Sequence, residues 1–193
     1  MPTAREGLLD ALEELLIEEG ERAATLDAVA TRARVSKGGL LYHFASKAAL
    51  IDGLVARMQD RAEQDAAAMR DSPDGPAAYY VRTSAQVGSA FDQTLLAAFR
   101  LAPGSESRVT DAIQGIRVRW LELITEEVGD RDLALAILLM GDGLYYSASL
   151  ALDSLGGQDS PTQEAAPVAA PDLSDIDSLL RVVSRMRGVS GGD

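Results

Sequence analysis

The chain has no cysteine and a single histidine, His43. Without thiols there is no disulfide framework, no thiolate metal site and no cysteine nucleophile, which fits a reducing compartment. One histidine excludes multi-histidine metal clusters and argues against a Ser-His-Asp triad. Positive charge is also in short supply. Lysine and arginine number 18 against 30 aspartates and glutamates, and the net charge of −12 argues at first sight against nucleic acid. No uninterrupted apolar run opens the chain, because Glu6, Asp10 and Glu13 come first; no secretory signal is expected. The segment from Leu133 to Leu152 is apolar nearly all round, yet Asp142 stands at its middle between Gly141 and Gly143. A carboxylate there would cost ~2.5–3.5 kcal/mol in a bilayer. Burial between a core and a partner subunit is the better account, and no membrane partner is expected. There is no internal repeat and no glycine-rich phosphate loop after a strand. The adjacent carboxylates Glu13-Glu14, Glu18-Glu19 and Glu126-Glu127 point away from each other on a helix and read as solvated surface. With proton-transfer candidates this scarce, no enzyme is expected, and neither a metal nor a cofactor.

What is present is helical pattern from end to end. At 193 residues and 47% hydrophobic, the chain can bury a sizeable core in one or two domains. Helix one is expected over 4–19, with Leu8, Leu12, Leu15 and Leu16 facing the core and Gly20 as its stop signal. A long helix over 47–70 carries the stripe Leu50, Leu54, Met58 and Ala62, and the break Asp71-Ser-Pro-Asp-Gly-Pro follows it. Pro76 opens a fifth helix whose face runs through Tyr80, Ser84, Val87 and Phe91, with Leu95 to Leu101 as a short sixth. Helices over 106–128 (Val109, Ile113, Ile116, Trp120 and Leu123 in register), 131–155 and 173–188 complete the chain. The Gly-, Ala- and Pro-rich residues 156–172 read as a mobile connection.

The chain is organised around Val35 to Lys47, Val-Ser-Lys-Gly-Gly-Leu-Leu-Tyr-His-Phe-Ala-Ser-Lys. Ser36 reads as the N-cap of a very short helix and Ser46 as that of the long one. Leu40 and Phe44 share a face that should enter a core, while Lys37 and Leu41 share another, beside Gly38 and Tyr42. Two costs resist a purely structural account. Lys37 and Lys47 follow N-caps, where the helix dipole disfavours a cation by a few tenths to ~1 kcal/mol. Gly38 and Gly39 inside one short helix cost ~1 kcal/mol each relative to alanine. Both make sense if a polyanion approaches closely. Upstream, Thr25 can cap a helix with Leu26, Val29, Ala30 and Ala33 at i, i+3, i+4 and i+7. Two short helices joined by a tight turn at Arg34 and Val35 make a helix-turn-helix, whose second helix can enter a DNA major groove. Charge agrees. Residues 22–47 hold Arg22, Arg32, Arg34, Lys37 and Lys47 against Asp27 alone, a balance of +4 that leaves −16 on the rest of the chain. A basic patch on an acidic body is the footprint of local phosphate contact.

Over roughly residues 5–55 the sequence resembles the TetR-type bacterial transcriptional repressors. Thr25, Ala30, Ala33, Val35-Ser36, the Leu-Leu-Tyr-His-Phe run and Ser46-Lys47 carry the resemblance. Arg34 departs from it, standing where the family usually has a glycine in a left-handed turn, so the turn is expected to differ slightly. The resemblance implies an all-α fold. An N-terminal three-helix helix-turn-helix DNA-binding domain, 1–46, would precede a helical ligand-binding and dimerisation domain, 47–193, with helix 47–70 connecting the two. It implies that Lys37 and Gly38 approach base edges, that Gly39 permits close backbone approach and that Leu41 meets a thymine methyl. Tyr42, His43, Lys47 and Thr25 would hold phosphates, with Arg34 and Ser36 part of the same DNA-binding surface. In the second domain it implies an inducer pocket, with candidates Tyr79, Tyr80, Phe91, Phe99, Trp120, Met140, Asp142, Tyr145 and Tyr146. The last two long helices would form the dimer interface through Leu150, Ile176, Leu179 and Val183. Asp142, in an apolar helix, needs a partner, either an arginine (Arg82, Arg100, Arg117 or Arg119) or a ligand's donor. The function so implied is a cytoplasmic, homodimeric repressor that binds a palindromic double-stranded DNA operator and is released by a small-molecule inducer. The alternative from another class is a helical adaptor that binds protein through the dimer surface, with DNA binding incidental.

Overall fold

The computed structural model describes residues 3–101, 107–156 and 172–190, and all regular structure among them is helical. The first four helices begin where short polar side chains cap them. Thr3 accepts from the Glu6 N–H at 3.2 Å and opens α1 (Ala4–Glu18), and Thr25 accepts from Ala28 at 3.2 Å and opens α2 (Leu26–Arg32). Ser36 accepts from Gly39 at 3.0 Å and opens α3 (Lys37–His43), and Ser46 accepts from Ala49 at 3.1 Å ahead of α4 (Lys47–Arg70). Each cap satisfies one N–H that the helix start leaves without a partner. Gly20, at φ 81°, ends α1. The turn between α2 and α3 keeps its left-handed residue although that residue is Arg34, at φ 57°, so the expected departure does not occur. The Val35 N–H closes the turn on Ala30 O at 2.9 Å, and the conformation costs an arginine about 1–2 kcal/mol.

The chain divides into two compact units: Met1–Gln64 with Gly88–Ile116, and Asp65–Val87 with Arg117–Asp193. The first unit therefore takes in residues well beyond 46. Its core is the apolar face of α1 (Leu8, Leu9, Leu12, Leu16) with Leu40, Phe44, Leu50, Ile51 and Leu54, all buried. Gly53 makes room for Phe44, since a Cβ there would lie 2.6 Å from Phe44 Cε1. The same unit contains α6 (Ala90–Leu101), which packs on α1.

The expected fifth helix is too long. α5 (Pro76–Ser84) stops at Ser84, Gly88 adopts φ 116°, and α6 restarts behind a reciprocal cap. There the Ser89 hydroxyl accepts from Asp92 N–H at 3.1 Å, and Asp92 accepts from Ser89 N–H at 2.9 Å. Tyr80 and Phe91 therefore do not share one helix face. α7 (Ser107–Val128), α8 (Arg131–Gly156) and α9 (Leu173–Ser190) fall close to expectation, and α4 and α7 each run from one unit into the other. In the second unit α5 packs on α8 and α9 over buried Ala77, Val81, Ile137, Leu138, Ile176 and Val183. Its start lacks a side-chain cap from Gly75; the Glu127 carboxylate from α7 accepts the Ala77 N–H instead, at 2.7 Å. Most of the segment read as mobile, 156–172, lies outside the described residues. No described helix is long and apolar enough to cross a membrane.

Candidate nucleic-acid interface and ligand cluster

Helix α3 divides as its spacing requires. Leu40 is fully buried and Phe44, just past its end, nearly so, and this fixes the helix on the core. The opposite face is open: Leu41 is 40% exposed and Tyr42 86% exposed, so Tyr42 does not pack against α1. Its ring meets that of His43 edge-on at 5.1 Å, and His43 too is exposed. Thr25, Arg34, Ser36, Lys37 and Gly38 are exposed as well, while Gly39 and Lys47 are half-buried. A Cβ at Gly38 would meet nothing nearer than Ser36 Oγ at 3.9 Å, so internal packing does not require glycine there. Gly39 is tighter, at 3.3 Å from the same oxygen.

The cations of this stretch are not equivalent. Arg32 is held on α1 by Glu18 at 2.9 Å, Glu19 at 2.8 Å and Glu14 at 3.3 Å. Its hydrogen bonds to Glu18 and Glu14 keep the guanidinium even more firmly protonated than usual. It belongs to the scaffold. Lys37 pairs with Asp27 at 2.9 Å, and Lys47 donates to the Glu21 backbone carbonyl at 3.3 Å. The acidic pairs of α1 are thus not idle surface. Glu14, Glu18 and Glu19 tie α2 down, and Glu13 is buried, accepting from Arg57 at 3.1 Å and from Thr94 at 2.7 Å.

The second unit holds a polar cluster in an aromatic setting. Asp142 pairs with Arg117 at 2.6 Å and accepts from the Tyr80 hydroxyl at 3.0 Å. Asp65 accepts from the Tyr79 hydroxyl and from Trp120 Nε1, both at 3.0 Å. The Tyr80 and Trp120 rings lie 5.3 Å apart. Burial pushes the Tyr79 phenol up to about 12, with the Asp65 charge adding, and burial raises Tyr80 further still. Tyr80 lies flat on α8 because residue 141 is glycine: a Cβ there would sit 2.3 Å from Tyr80 Cε1.

Two family models match the chain: bacterial regulatory proteins of the tetR family over residues 8–54, and a tetracyclin repressor-like C-terminal domain over residues 74–162. The chain belongs to the TetR family. It is a TetR-family transcription regulator with a helix-turn-helix DNA-binding domain. No curated protein matches it in sequence. Solved structures share the fold. GusR of Salmonella enterica superposes with a TM-score of 0.66 at 16% identity, covering 96% of this chain and 95% of that one. A transcriptional regulator from Rhodococcus sp. Rha1 gives 0.56 at 19% identity, with 95% of each chain covered. The multidrug binding protein EbrR, in complex with imidazole, gives 0.50 at 19% identity over 96% of each.

In this TetR-family chain, the pocket candidates separate. Tyr79, Tyr80, Trp120 and Asp142 come together, and Arg117 is the arginine that pairs with Asp142. Phe91 and Phe99 lie on α6 in the other unit, with Phe99 40% exposed. Met140 and Tyr145 are half-buried on α8, and Tyr146 is 66% exposed. Of the interface candidates, Ile176 and Val183 are buried within the single chain and so unavailable to a partner, because their face of α9 packs inward. Leu179 is half-buried, and the Leu150 side chain lies outside the described residues. Sequence reasoning missed Asp65 altogether, since it sits in a run of polar and alanine residues with no signal of its own. It also missed Asp27 as the partner of Lys37. A pair between the first turns of α2 and α3 is visible only once the turn between them is known.

Proposed function

We propose that the chain is a homodimeric, ligand-responsive repressor that acts in the cytoplasm, binds a palindromic operator and leaves it when a small molecule occupies the second unit. The observation that carries this reading is the open face of α3, where Lys37, Gly38, Leu41 and Tyr42 are solvated although the helix is otherwise anchored. A glycine at 38 that internal packing does not need, in a helix that it weakens by about 1 kcal/mol, is accounted for by a duplex lying against it. Lys37 suits guanine O6 and N7, and Leu41 a thymine methyl. Tyr42, His43, Thr25, Arg34 and Lys47 would flank them on phosphates.

Dimerisation is supported by a stripe on α8 that the single chain leaves exposed: Leu135, Leu139, Gly143 and Tyr146. Gly143 has open space where a Cβ would be, which lets a second helix come close. An inducer role for the second unit is supported by the Tyr79, Tyr80, Trp120 and Asp142 cluster, and by the small molecule held by EbrR. A mostly apolar molecule bearing an amine or hydroxyl suits these side chains. Because α4 is common to both units, a ligand that prefers a shifted α4 would alter the spacing of the two recognition helices. Only such differential affinity can drive release.

The test is a footprint on duplexes selected from a random library, which should show two half-sites with recognition helices ~34–36 Å apart. Lys47→Ala should weaken all sequences alike and reduce the slope of log K against log salt by roughly 1. Lys37→Ala should relax preference at one base pair, by ~1–3 kcal/mol. Failure to enrich any sequence would overturn the reading.

A further inference from the structure

Among the described residues, Arg34 is the one non-glycine residue at positive φ. Two backbone hydrogen bonds hold it there. Its own N–H donates to Thr31 O at 3.1 Å, and the N–H of Val35 donates to Ala30 O at 2.9 Å. An L side chain resists this conformation and glycine does not, so glycine would make the same turn with less strain. Nothing in the packing repays the arginine. Its side chain is exposed and makes no ion pair or hydrogen bond among the described residues. The acids nearby in sequence are engaged elsewhere: Glu14, Glu18 and Glu19 hold Arg32, and Asp27 holds Lys37.

We infer that the turn trades stability for affinity toward any duplex: Arg34 strains the fold, and its guanidinium takes a DNA phosphate whatever the base sequence. This rests on the DNA-binding reading above and deepens it. A strained residue that the surrounding backbone enforces points to a function outside the fold. The turn joins α2 to α3, so a duplex lying against the open face of α3 brings its phosphates to this side chain. A guanidinium offers a planar fork that matches phosphate oxygens. The pinned backbone also fixes the direction in which the side chain leaves the turn, so less freedom is lost on contact. Phosphates position a protein without reading sequence, and the contribution of Arg34 is therefore the same on operator and bulk DNA.

The test uses three variants of the full chain and two probes, a duplex selected by the wild-type protein and a pool of random-sequence duplexes of the same length. Arg34→Gly removes strain and charge together, and Arg34→Lys keeps both. Arg34→Asn removes the charge in a residue that tolerates the left-handed region, and so guards against an effect of glycine's flexibility. Without DNA, buried amides of α1, α2 and α3 should exchange about threefold more slowly in Arg34→Gly than in wild type, and at the wild-type rate in Arg34→Lys. On DNA the order reverses. Arg34→Gly and Arg34→Asn should bind both probes about fivefold more weakly per half-site at about 0.15 M salt, and reduce the salt slope by about 1 per half-site. Arg34→Lys should stay within about threefold of wild type on both. Unchanged affinity and slope in the glycine and asparagine variants would make Arg34 plain solvated surface. A loss confined to the selected duplex would make it a base reader, and exchange no slower in Arg34→Gly would mean that there is no strain to trade. Each of these overturns the inference. A wild-type protein that enriches no sequence would sink the DNA-binding reading itself, a result distinguishable from all of these.

Discussion

Two arginines, one in each unit, solve the same problem differently. Arg57 on α4 is 7% exposed and faces three carboxylates of α1. It donates to Asp10 at 2.6 Å, to Glu13 at 3.1 Å, to the Glu6 carboxylate and to the Glu6 backbone carbonyl at 2.9 Å. Burial works against its charge, but its hydrogen bonds to Asp10, Glu6 and Glu13 and the negative charge of Glu13 outweigh it and keep the group protonated. Arg61 and Thr94 converge on the same Glu13. Arg117, by contrast, is 31% exposed and has one carboxylate, Asp142, itself 29% exposed and shared with a tyrosine. A buried cation surrounded by several fixed anions has no alternative partner. A half-solvated pair has one whenever water, or a ligand group, comes near. The first arrangement holds α1, α4 and α6 together; the second is suited to exchange.

The largest expected effect tests the first arrangement. Glu13→Ala removes an acceptor from Arg57, Arg61 and Thr94 at once. Breaking a buried pair by deleting one partner costs about 3–5 kcal/mol, which denaturant unfolding would read as a much lower midpoint at unchanged slope. A loss below about 1 kcal/mol, the range of surface pairs, would erase the distinction between the two sites.

That network also marks where the sequence stops being readable. The caps at Thr25, Ser36 and Ser46 were legible because a cap joins residues three apart, and so was the division of α3 into buried Leu40 and exposed Leu41. The left-handed Arg34 shows the fold overriding a residue's own preference, since the turn is closed from Ala30 and Val35. The Arg57 contacts span 44 to 51 residues, and separation on that scale hides partners. Yet a cue existed. Glu6, Asp10 and Glu13 follow a helical spacing on α1, and Arg57 and Arg61 are four apart on α4, so each set presents one charged face. Reading adjacent glutamates as a pair hides this face, because of Glu13 and Glu14 only Glu14 points outward. The break at 85–89 is hidden for a related reason: the apolar period continues through Gly88, and the Ser89-to-Asp92 cap carries the better signal.

Gly141→Ala sharpens the comparison from the other side. The added methyl would overlap Tyr80 and come within 2.9 Å of Ser84 Oγ, so the ring that donates to Asp142 must shift. Overpacking of this kind costs about 1–3 kcal/mol. The melt should fall by less than for Glu13→Ala, while tyrosine absorbance or fluorescence changes. A variant as stable as wild type would mean that the Tyr80 site yields more readily than its packing implies.

High pH separates the two sites without a mutation. The Tyr79 phenol sits near 12 in the fold and near 10 when unfolded. Between those values the unfolded chain loses the proton first, so stability is intact below about pH 10 and falls as pH rises. Tyr80, also raised by burial, adds to the same decline. Tyr79→Phe should flatten part of that fall when midpoints at about pH 9 and about pH 11 are compared. An unchanged decline would remove Tyr79 from the cause.

Asp142→Asn carries the smallest expected effect on stability and the most information about function. Asparagine can still accept from the Tyr80 hydroxyl, so only the charge opposite Arg117 is lost. Because Arg117 is about a third exposed, water can take the place of the missing carboxylate. The cost should therefore be about 1 kcal/mol or less, far below that of Glu13→Ala. Operator affinity should remain near wild type, since the recognition helix is untouched. Release by an amine-bearing inducer should be lost if Asp142 has the ligand-orienting role proposed for it. Melting and operator release measured on one preparation separate the outcomes. A loss of several kcal/mol with normal release would make Asp142 a structural anchor like Glu13, and the two arginines would then be doing the same job.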